Sequence, residues 1–194
     1  MYANDYRDYM TLLYMNGATP PGAWWPSTDG TWWPDTLRPY MHTTNVIGCP
    51  SAQSGFGIAM NHPDIGGWRE RPAKLSDIKH PSESVPYADA GLIANPRERD
   101  PDVWVEKKDQ QSFYYRTPAN SGYYDDDPER PVNRHSQRCN AGFSDGHGAP
   151  IRVSLIGLQH YPGKDGAGRP AYGNPRWASG GNNIHDPRWM WDLE

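Results

Sequence analysis

The sequence has few hydrophobic residues and no long apolar run. Only 36% of its residues are hydrophobic, and the mean hydropathy is −0.91. A membrane-spanning helix needs about twenty apolar residues in a row, and a secretory signal needs an apolar run behind a basic start, so these 194 residues contain neither. Lys and Arg number 19 against 23 Asp and Glu, with no basic cluster. We therefore expect no nucleic acid as a partner, because phosphate neutralisation requires a basic surface.

The chain is instead rich in aromatic residues and in residues that favour turns. It contains 9 Trp, 12 Tyr, 20 Gly and 20 Pro in 194 residues, a length that suits one domain. Aromatic side chains each bury a large area, so a few positions can build a core. The composition predicts a single loop-rich domain over residues 1–194, in which aromatic rings supply much of the core.

Patterns along the chain predict one helix followed by a small antiparallel sheet. Tyr2, Tyr6, Tyr9 and Leu13 fall on one helical face, with no N-cap before them. Short segments bounded by turn residues predict strands, and a hairpin is predicted around the Asp145-Gly146 turn. The strand segments are 56–60, 84–88, 103–107 and 112–116, and the hairpin arms are 141–144 and 150–155. The expected fold class is α+β, with the N-terminal helix packed on the sheet and a long ordered C-terminal tail.

Five segments follow one another in the order of the motifs of a known family. His135 and Asp145-Gly146 stand at H-x9-DG spacing within the last of them. The chain resembles prepilin-like proteins, related to the pseudopilins of type II secretion, that carry an H-x9-DG motif near the C-terminus. The five segments are 1–6, 33–40, 49–61, 75–89 and 133–147.

The resemblance implies a pilin-like fold and a non-enzymatic function in a type II secretion or pilus-like envelope assembly. It also implies a prepilin leader and an apolar helix ahead of Met1, which would explain the uncapped helix. The domain would then lie on the extracytoplasmic side of the inner membrane, in the periplasm or on the cell surface. Its partners would be other pseudopilin or assembly subunits, and it would contact the membrane only through the preceding helix. No nucleophile elbow surrounds Ser136, so we expect no catalysis.

Cys49 and Cys139 are the two cysteines of the chain. Thiols in an extracytoplasmic domain are usually oxidised, and closing a loop of about 90 residues would contribute roughly 4 kcal/mol. The implied location therefore favours a disulfide between them. The alternative is two buried free thiols.

His135, Asp145 and His147 form the most polar constellation of the sequence. Asp145 and His147 would share one face of an extended strand, and imidazole with carboxylate suits zinc. The favoured alternative is structural: the His135 ring hydrogen-bonds a group near the Asp145-Gly146 turn, and Asp89 could join either arrangement. We therefore expect no cofactor, and a divalent metal, zinc or calcium, is the lesser alternative.

Two acidic stretches are weaker candidates for calcium. Residues 125–127 are all Asp and are followed by Glu129, and Asp165-Gly166 precedes Asp186. Calcium prefers several oxygen ligands on a flexible loop. A solvated acidic turn is the simpler interpretation of both.

Two tryptophan doublets, Trp24-Trp25 and Trp32-Trp33, are the remaining candidate site. An exposed aromatic platform could bind sugar rings or a protein partner, because large apolar patches rarely persist without one. This is the basis of the alternative function, a carbohydrate- or surface-binding module with glycans as partners. The competing interpretation is that the rings cover a core that is short of aliphatic residues.

Overall fold

The protein is described from a computed structural model, in which most of the first 158 residues are placed. The described residues are 2–41, 43–52, 56–69, 72–96, 98, 100–108, 110, 112–117, 128–158, 190, 191 and 193. Within them the fold is mostly β, and the longest α-helix has five residues. The strands are β1 Tyr14–Asn16, β2 Gly30–Trp32, β3 Ile58–His62, β4 Tyr87–Leu92, β5 Tyr114–Arg116, β6 Glu129–Pro131, β7 Cys139–Gly142 and β8 Gly148–Ile151. The α-helices are α1 Tyr2–Asp5, α2 Trp33–Leu37 and α3 Val153–Ile156, and 3-10 turns occupy Arg38–Tyr40, Thr44–Val46, Leu75–Asp77 and Pro101–Val103.

The described strands form one six-stranded sheet and one two-stranded ladder. The large sheet has the order β5-β3-β4-β7-β8, and β6 also pairs with β4. Its strands pair antiparallel, except for β3 and β5, which are parallel. β1 and β2 pair separately, also antiparallel. β4 therefore lies at the centre of the sheet, where it pairs with three other strands.

The expected α+β, pilin-like fold with an N-terminal helix packed on a small antiparallel sheet is wrong. Tyr2 and Tyr6 do stack, with ring centroids 4.1 Å apart, but the helix ends at Asp5. Arg7 and Asp8 then take positive φ angles of 56° and 72°. Beyond them the backbone N–H of Leu13 donates to Gly67 O at 3.0 Å, so it cannot serve a helix. Pairing with distant backbone overrides the local helical pattern.

The predicted hairpin is confirmed, and three of the predicted strands overlap observed ones. β7 and β8 pair around the Asp145-Gly146 turn, with Gly142 opposite Gly148. The segments predicted at 56–60, 84–88 and 112–116 overlap β3, β4 and β5. The segment 103–107 was expected to be a strand, but only Glu106 pairs there, in an isolated bridge to Ile93.

The large sheet separates two hydrophobic cores because side chains alternate between its faces. Ala88 and Ala90 face the core beneath α3, here called the α3-side core. Tyr87, one position away, packs against the core around Trp33, here called the Trp33-side core. The first contains Val85, Cys139, Val153, Ile156 and Trp191, and the second contains Leu13, Ile47, Phe56, Met60 and Ile65.

The end of the chain returns to the sheet at Trp191. This side chain is fully buried, and its carbonyl accepts a hydrogen bond of 2.7 Å from Asn61 Nδ2. Trp191 thus anchors this part of the chain to the sheet. The predicted ordered tail over residues 159–189 and the acidic residues 125–127, Asp165 and Asp186 lie outside the described residues. No helix within the described ranges is long and apolar enough to cross a membrane.

Candidate functional site

The structure places His135 beside Asp89 and Cys49. His135 Nε2 is 3.4 Å from Asp89 Oδ2 and 3.4 Å from Cys49 Sγ. Cys49 and Asp89 are buried, and the His135 side chain is 33% exposed. We call Cys49, Asp89 and His135 the His135 cluster. Among the described residues, it is the group whose three potential ligand atoms lie within 4.8 Å of one another.

A tight turn positions His135 at the cluster. His135 and Arg138 form an antiparallel bridge, and the backbone N–H of Arg138 donates to His135 O at 3.0 Å. The two residues between them, Ser136 and Gln137, have φ angles of 50° and 62°. Two central residues with positive φ define the type I′ hairpin turn, which Asn and Gly normally occupy. No Asn or Gly signals this turn in the sequence, so only tertiary contacts reveal it.

Arg134 ties the turn to the sheet. Its side chain is 4% exposed and holds Glu106 through Nε at 2.9 Å and Nη2 at 2.5 Å. The same guanidinium donates to the carbonyls of Gly57 and Ala90, both at 2.5 Å, and lies 3.8 Å from Asp89 Oδ1. Burial alone would lower the pKa of Arg134, but the hydrogen bonds and charge of Glu106, with Asp89, raise it above its usual value.

Asp89 receives its own support from the neighbouring strand. The backbone N–H of Asn140 donates to Asp89 Oδ2 at 2.6 Å. Burial raises the pKa of Asp89, opposed by this hydrogen bond and by the charge of Arg134. The hydrogen bond from β7 therefore orients the carboxylate towards His135.

Cys49 reaches the cluster because residue 57 has no side chain. A Cβ at Gly57 would lie 2.1 Å from Cys49 Cβ, far inside van der Waals contact. The Gly57 backbone is also fixed, since its N–H donates to Ile47 O at 3.1 Å and its carbonyl accepts from Ala90 at 3.0 Å. Gly57 and Arg134 lie in segments of the resemblance, but the sequence did not mark them as site residues, and no pattern marked Glu106.

The predicted disulfide between Cys49 and Cys139 is not formed, and both cysteines are free and buried. Cys139 lies on β7 in the α3-side core with Ala88 and Ala90. Asp89 occupies the intervening position of β4, so its side chain and the neighbouring Cys49 lie on the opposite face. The sheet thus separates the two thiols. Burial raises the pKa of Cys139 to about 12, which makes it a poor nucleophile.

Asp145 and His147 form a separate, exposed pair at the hairpin turn. Asp145 Oδ1 is 2.6 Å from His147 Nδ1 and accepts the His147 backbone N–H at 3.1 Å. The backbone N–H of His147, followed by its side chain, lowers the pKa of Asp145. Gly146 supplies the positive φ of 96° that the turn needs.

The structure does not bring His135 together with Asp145 and His147. The predicted metal set of these three is therefore not assembled among the described residues. The predicted hydrogen bond from the His135 ring to the Asp145-Gly146 turn is also not formed, because the ring meets Asp89 and Cys49 instead. Asp89 lies on β4 beside His135, and Gly146 lies in the turn between β7 and β8.

The tryptophan doublets face the Trp33-side core. Trp33 is 2% exposed, and the half-buried Trp25 and Trp32 pack their rings against Phe113, with centroids 5.4 Å and 4.9 Å away. Trp24 is half-buried against the same core. This placement favours the interpretation that the four rings cover a core. Trp68, at 43% exposure, is the more accessible indole, and the sequence did not single it out.

The five segments that carry the family resemblance contact one another in the fold. Each contact joins residues far apart in sequence, so the segments build one continuous network. The contacts are Tyr40 Oη to Asp5 Oδ2 at 2.5 Å, the rings of Trp33 and Tyr87 at 5.0 Å, Cys49 Sγ to His135 Nε2 at 3.4 Å, and Asp145 N to Pro81 O at 3.1 Å.

The geometry of the His135 cluster does not suit a thiol-based catalytic relay. In such a relay the carboxylate holds one ring nitrogen while the nucleophile uses the other. Here Asp89 and Cys49 both approach Nε2.

An apolar groove of about 510 Å³ lies elsewhere, with Tyr2, Tyr87 and Phe143 in its wall but no residue of the cluster. The cluster can hold segments together or bind an ion.

Comparison of the chain with protein-family models, curated proteins and solved structures finds no match in any of the three.

Proposed function

We propose that the protein is a non-enzymatic component of a type II secretion or pilus-like envelope assembly and works on the extracytoplasmic side of the inner membrane. The proposal starts from the five ordered segments that resemble pseudopilin-related proteins with an H-x9-DG motif. It does not depend on the pilin-like helix packing, which this chain lacks in the described residues.

The observation that carries the proposal is that residues of the motif segments are buried and bonded to other parts of the fold. Arg134 and Asp89 are 4% and 2% exposed and are held by intramolecular partners. Active sites instead leave reactive groups aimed at a space where substrate can bind. Residues that hold each other in this way serve the fold, which suits a building block better than an enzyme.

Function should then depend on these residues only through the amount of folded protein. The test deletes the gene from the cells that encode it and restores it as wild type, Arg134→Met or His147→Ala. Secretion or filament yield is measured and divided by the amount of protein present. We expect Arg134→Met to lower the protein level and the yield together, and His147→Ala to change neither.

Location and partners need a second readout. Cross-linking in intact cells, followed by mass spectrometry, should find pilin-like subunits beside this protein, and protease added outside the inner membrane should reach it. A protein that cross-links to no envelope subunit, or that stays protected in the cytoplasm, would overturn the proposal. A stable variant of the His135 cluster at full abundance but without function would also contradict it, because that result indicates chemistry.

A further inference from the structure

We propose that Cys49, Asp89 and His135 form a zinc site that joins three segments of the fold. This goes beyond the proposed function, because an assembly component needs no metal. The three side chains come from the loop around residue 49, from the central strand β4, and from the turn between β6 and β7. They supply a thiolate, a carboxylate and an imidazole, which are all zinc ligands.

Two of the three distances between the ligand atoms match a tetrahedral zinc ion. Bond lengths of about 2.3 Å to sulfur and about 2.1 Å to nitrogen and oxygen give tetrahedral edges of roughly 3.6 Å for S···N and 3.4 Å for N···O. In the structure Cys49 Sγ lies 3.4 Å from His135 Nε2, and Asp89 Oδ2 lies 3.4 Å from the same nitrogen. The third pair, the sulfur and the carboxylate oxygen, lies within 4.8 Å, against roughly 3.6 Å in the tetrahedron, so an ion binds if these two side chains close by about 1 Å or less.

The convergence of Cys49 Sγ and Asp89 Oδ2 on one ring nitrogen also favours an ion. A single N–H cannot point well at two partners, whereas a metal at the centre contacts all three atoms at once. The mixture of sulfur, nitrogen and oxygen donors selects zinc over calcium or magnesium, which require mostly oxygen ligands.

The surroundings orient the ligands as the outer shell of a metal site does. Asn140 N–H holds Asp89 Oδ2 at 2.6 Å and leaves this oxygen a second lone pair. The nearby cation Arg134 is bound by both oxygens of Glu106, at 2.5 Å and 2.9 Å, and lies farther from Asp89, at 3.8 Å. The guanidinium is thus paired with Glu106, and its approach to Asp89 is to Oδ1 and not to Oδ2, the oxygen beside His135.

Solvent can reach the site from one side. The His135 side chain is 33% exposed, while those of Cys49 and Asp89 are buried. The ion enters past His135, and water completes its fourth position. Binding displaces the Cys49 thiol proton into solvent, because the thiolate is the ligand. The bound ion then fixes the turn at residues 135–138 to β4.

The main experiment uses the reduced chain and Co²⁺ as a spectroscopic substitute for Zn²⁺. We expect one Co²⁺ per chain, with a thiolate-to-metal charge-transfer band that one equivalent of Zn²⁺ removes. Cys49→Ser should abolish the band, and Asp89→Asn should weaken Co²⁺ binding at least tenfold. The matched control is Cys139→Ser, which removes the buried thiol on the other face of the sheet and should leave the band intact.

Loss of folding in a variant would mimic loss of binding, so a second measurement uses the wild-type chain. A hundredfold excess of Zn²⁺ over its Kd should raise the Tm by about 5–10 °C. It should also protect Cys49 from alkylation, located by mass spectrometry, and leave the labelling of Cys139 unchanged. The proposal is overturned if the wild-type chain binds no stoichiometric Co²⁺, if the band survives Cys49→Ser in a folded protein, or if Zn²⁺ leaves Cys49 labelling unchanged.

Discussion

His135 and the Asp145–His147 pair belong to one H-x9-DG segment, yet their surroundings differ. His135 meets Asp89 and Cys49, which come from distant parts of the chain, and its neighbour Arg134 is almost fully buried. Asp145 and His147 bond mainly to each other and are 38% and 46% exposed. A buried ionic network costs much when one partner is removed, whereas an exposed pair contributes little. The motif therefore combines a tertiary anchor with a local turn.

The largest effect is expected from Arg134→Met. This change leaves Glu106, whose side chain is 11% exposed, without its cation, and it removes the donor to the carbonyls of Gly57 and Ala90. It should lower the free energy of unfolding by about 3–5 kcal/mol, measured by urea denaturation.

The control is Arg138→Met. The exposed Arg138 guanidinium makes one hydrogen bond, to Pro150 O, so its loss should lower the free energy of unfolding by no more than about 0.5 kcal/mol. Equal losses in the two variants would remove the contrast between anchor and surface.

A smaller effect is expected from Gly57→Ala. The added Cβ would meet Cys49 Cβ at 2.1 Å and its backbone N at 2.8 Å, so the loop must move. Overpacking of this kind costs about 1–3 kcal/mol, which urea denaturation will measure. In the hairpin, Gly142→Ala is the matched control, because its Cβ would lie 3.7 Å from Tyr87 Cβ and should change stability by less than about 1 kcal/mol. A neutral Gly57→Ala variant would mean that Cys49 is not held against residue 57.

Gly146→Val tests the Asp145-Gly146 turn, the part of the motif whose bonds are local. The Cβ at this position would meet nothing within 4 Å, so the cost comes from the backbone φ of 96°. A β-branched residue at a positive φ should lower the free energy of unfolding by about 1–2 kcal/mol, measured again by urea denaturation. Gly148→Val, in strand β8 without positive φ, should stay within about 0.5 kcal/mol of wild type. If both variants lowered the free energy of unfolding equally, packing and not backbone strain would govern the stability of the turn.

The smallest effect is the pH dependence contributed by Asp145. Its pKa lies below the usual value because His147 N–H bonds the ionised form. The folded state therefore favours the carboxylate, and this stabilisation is present above the unfolded pKa of about 3.9 and is lost as pH falls through the lower folded pKa. Thermal melts from pH 6 to pH 2 should show wild type more stable than Asp145→Asn at the upper end, with the difference shrinking below about pH 4. A difference that grew on acidification would contradict the assigned direction.

Local sequence signals were sufficient for the hairpin and for part of the core. Asp145-Gly146 between two short strand patterns predicts a turn whose bonds are made within a few residues, such as Gly146 N to Phe143 O at 2.9 Å. The doublet tryptophans also cover a core, as one interpretation of the aromatic-rich composition held. These features depend on neighbours in the chain, which a sequence displays directly.

Tertiary structure alone decided the length of the N-terminal helix, the partners of His135 and the separation of the cysteines. The tyrosine pattern continues to Leu13, but the helix ends at Asp5, and the N–H of Leu13 pairs with distant Gly67 O. The positive φ angles of Ser136 and Gln137 carry no sequence mark, and the turn that they form aims His135 at Asp89.

Cys49 and Cys139 lie on opposite faces because the pairing of β4 with β7 sets the alternation of side chains. Each of these outcomes depends on hydrogen bonds between residues distant in sequence, and local periodicity contains no information about such partners.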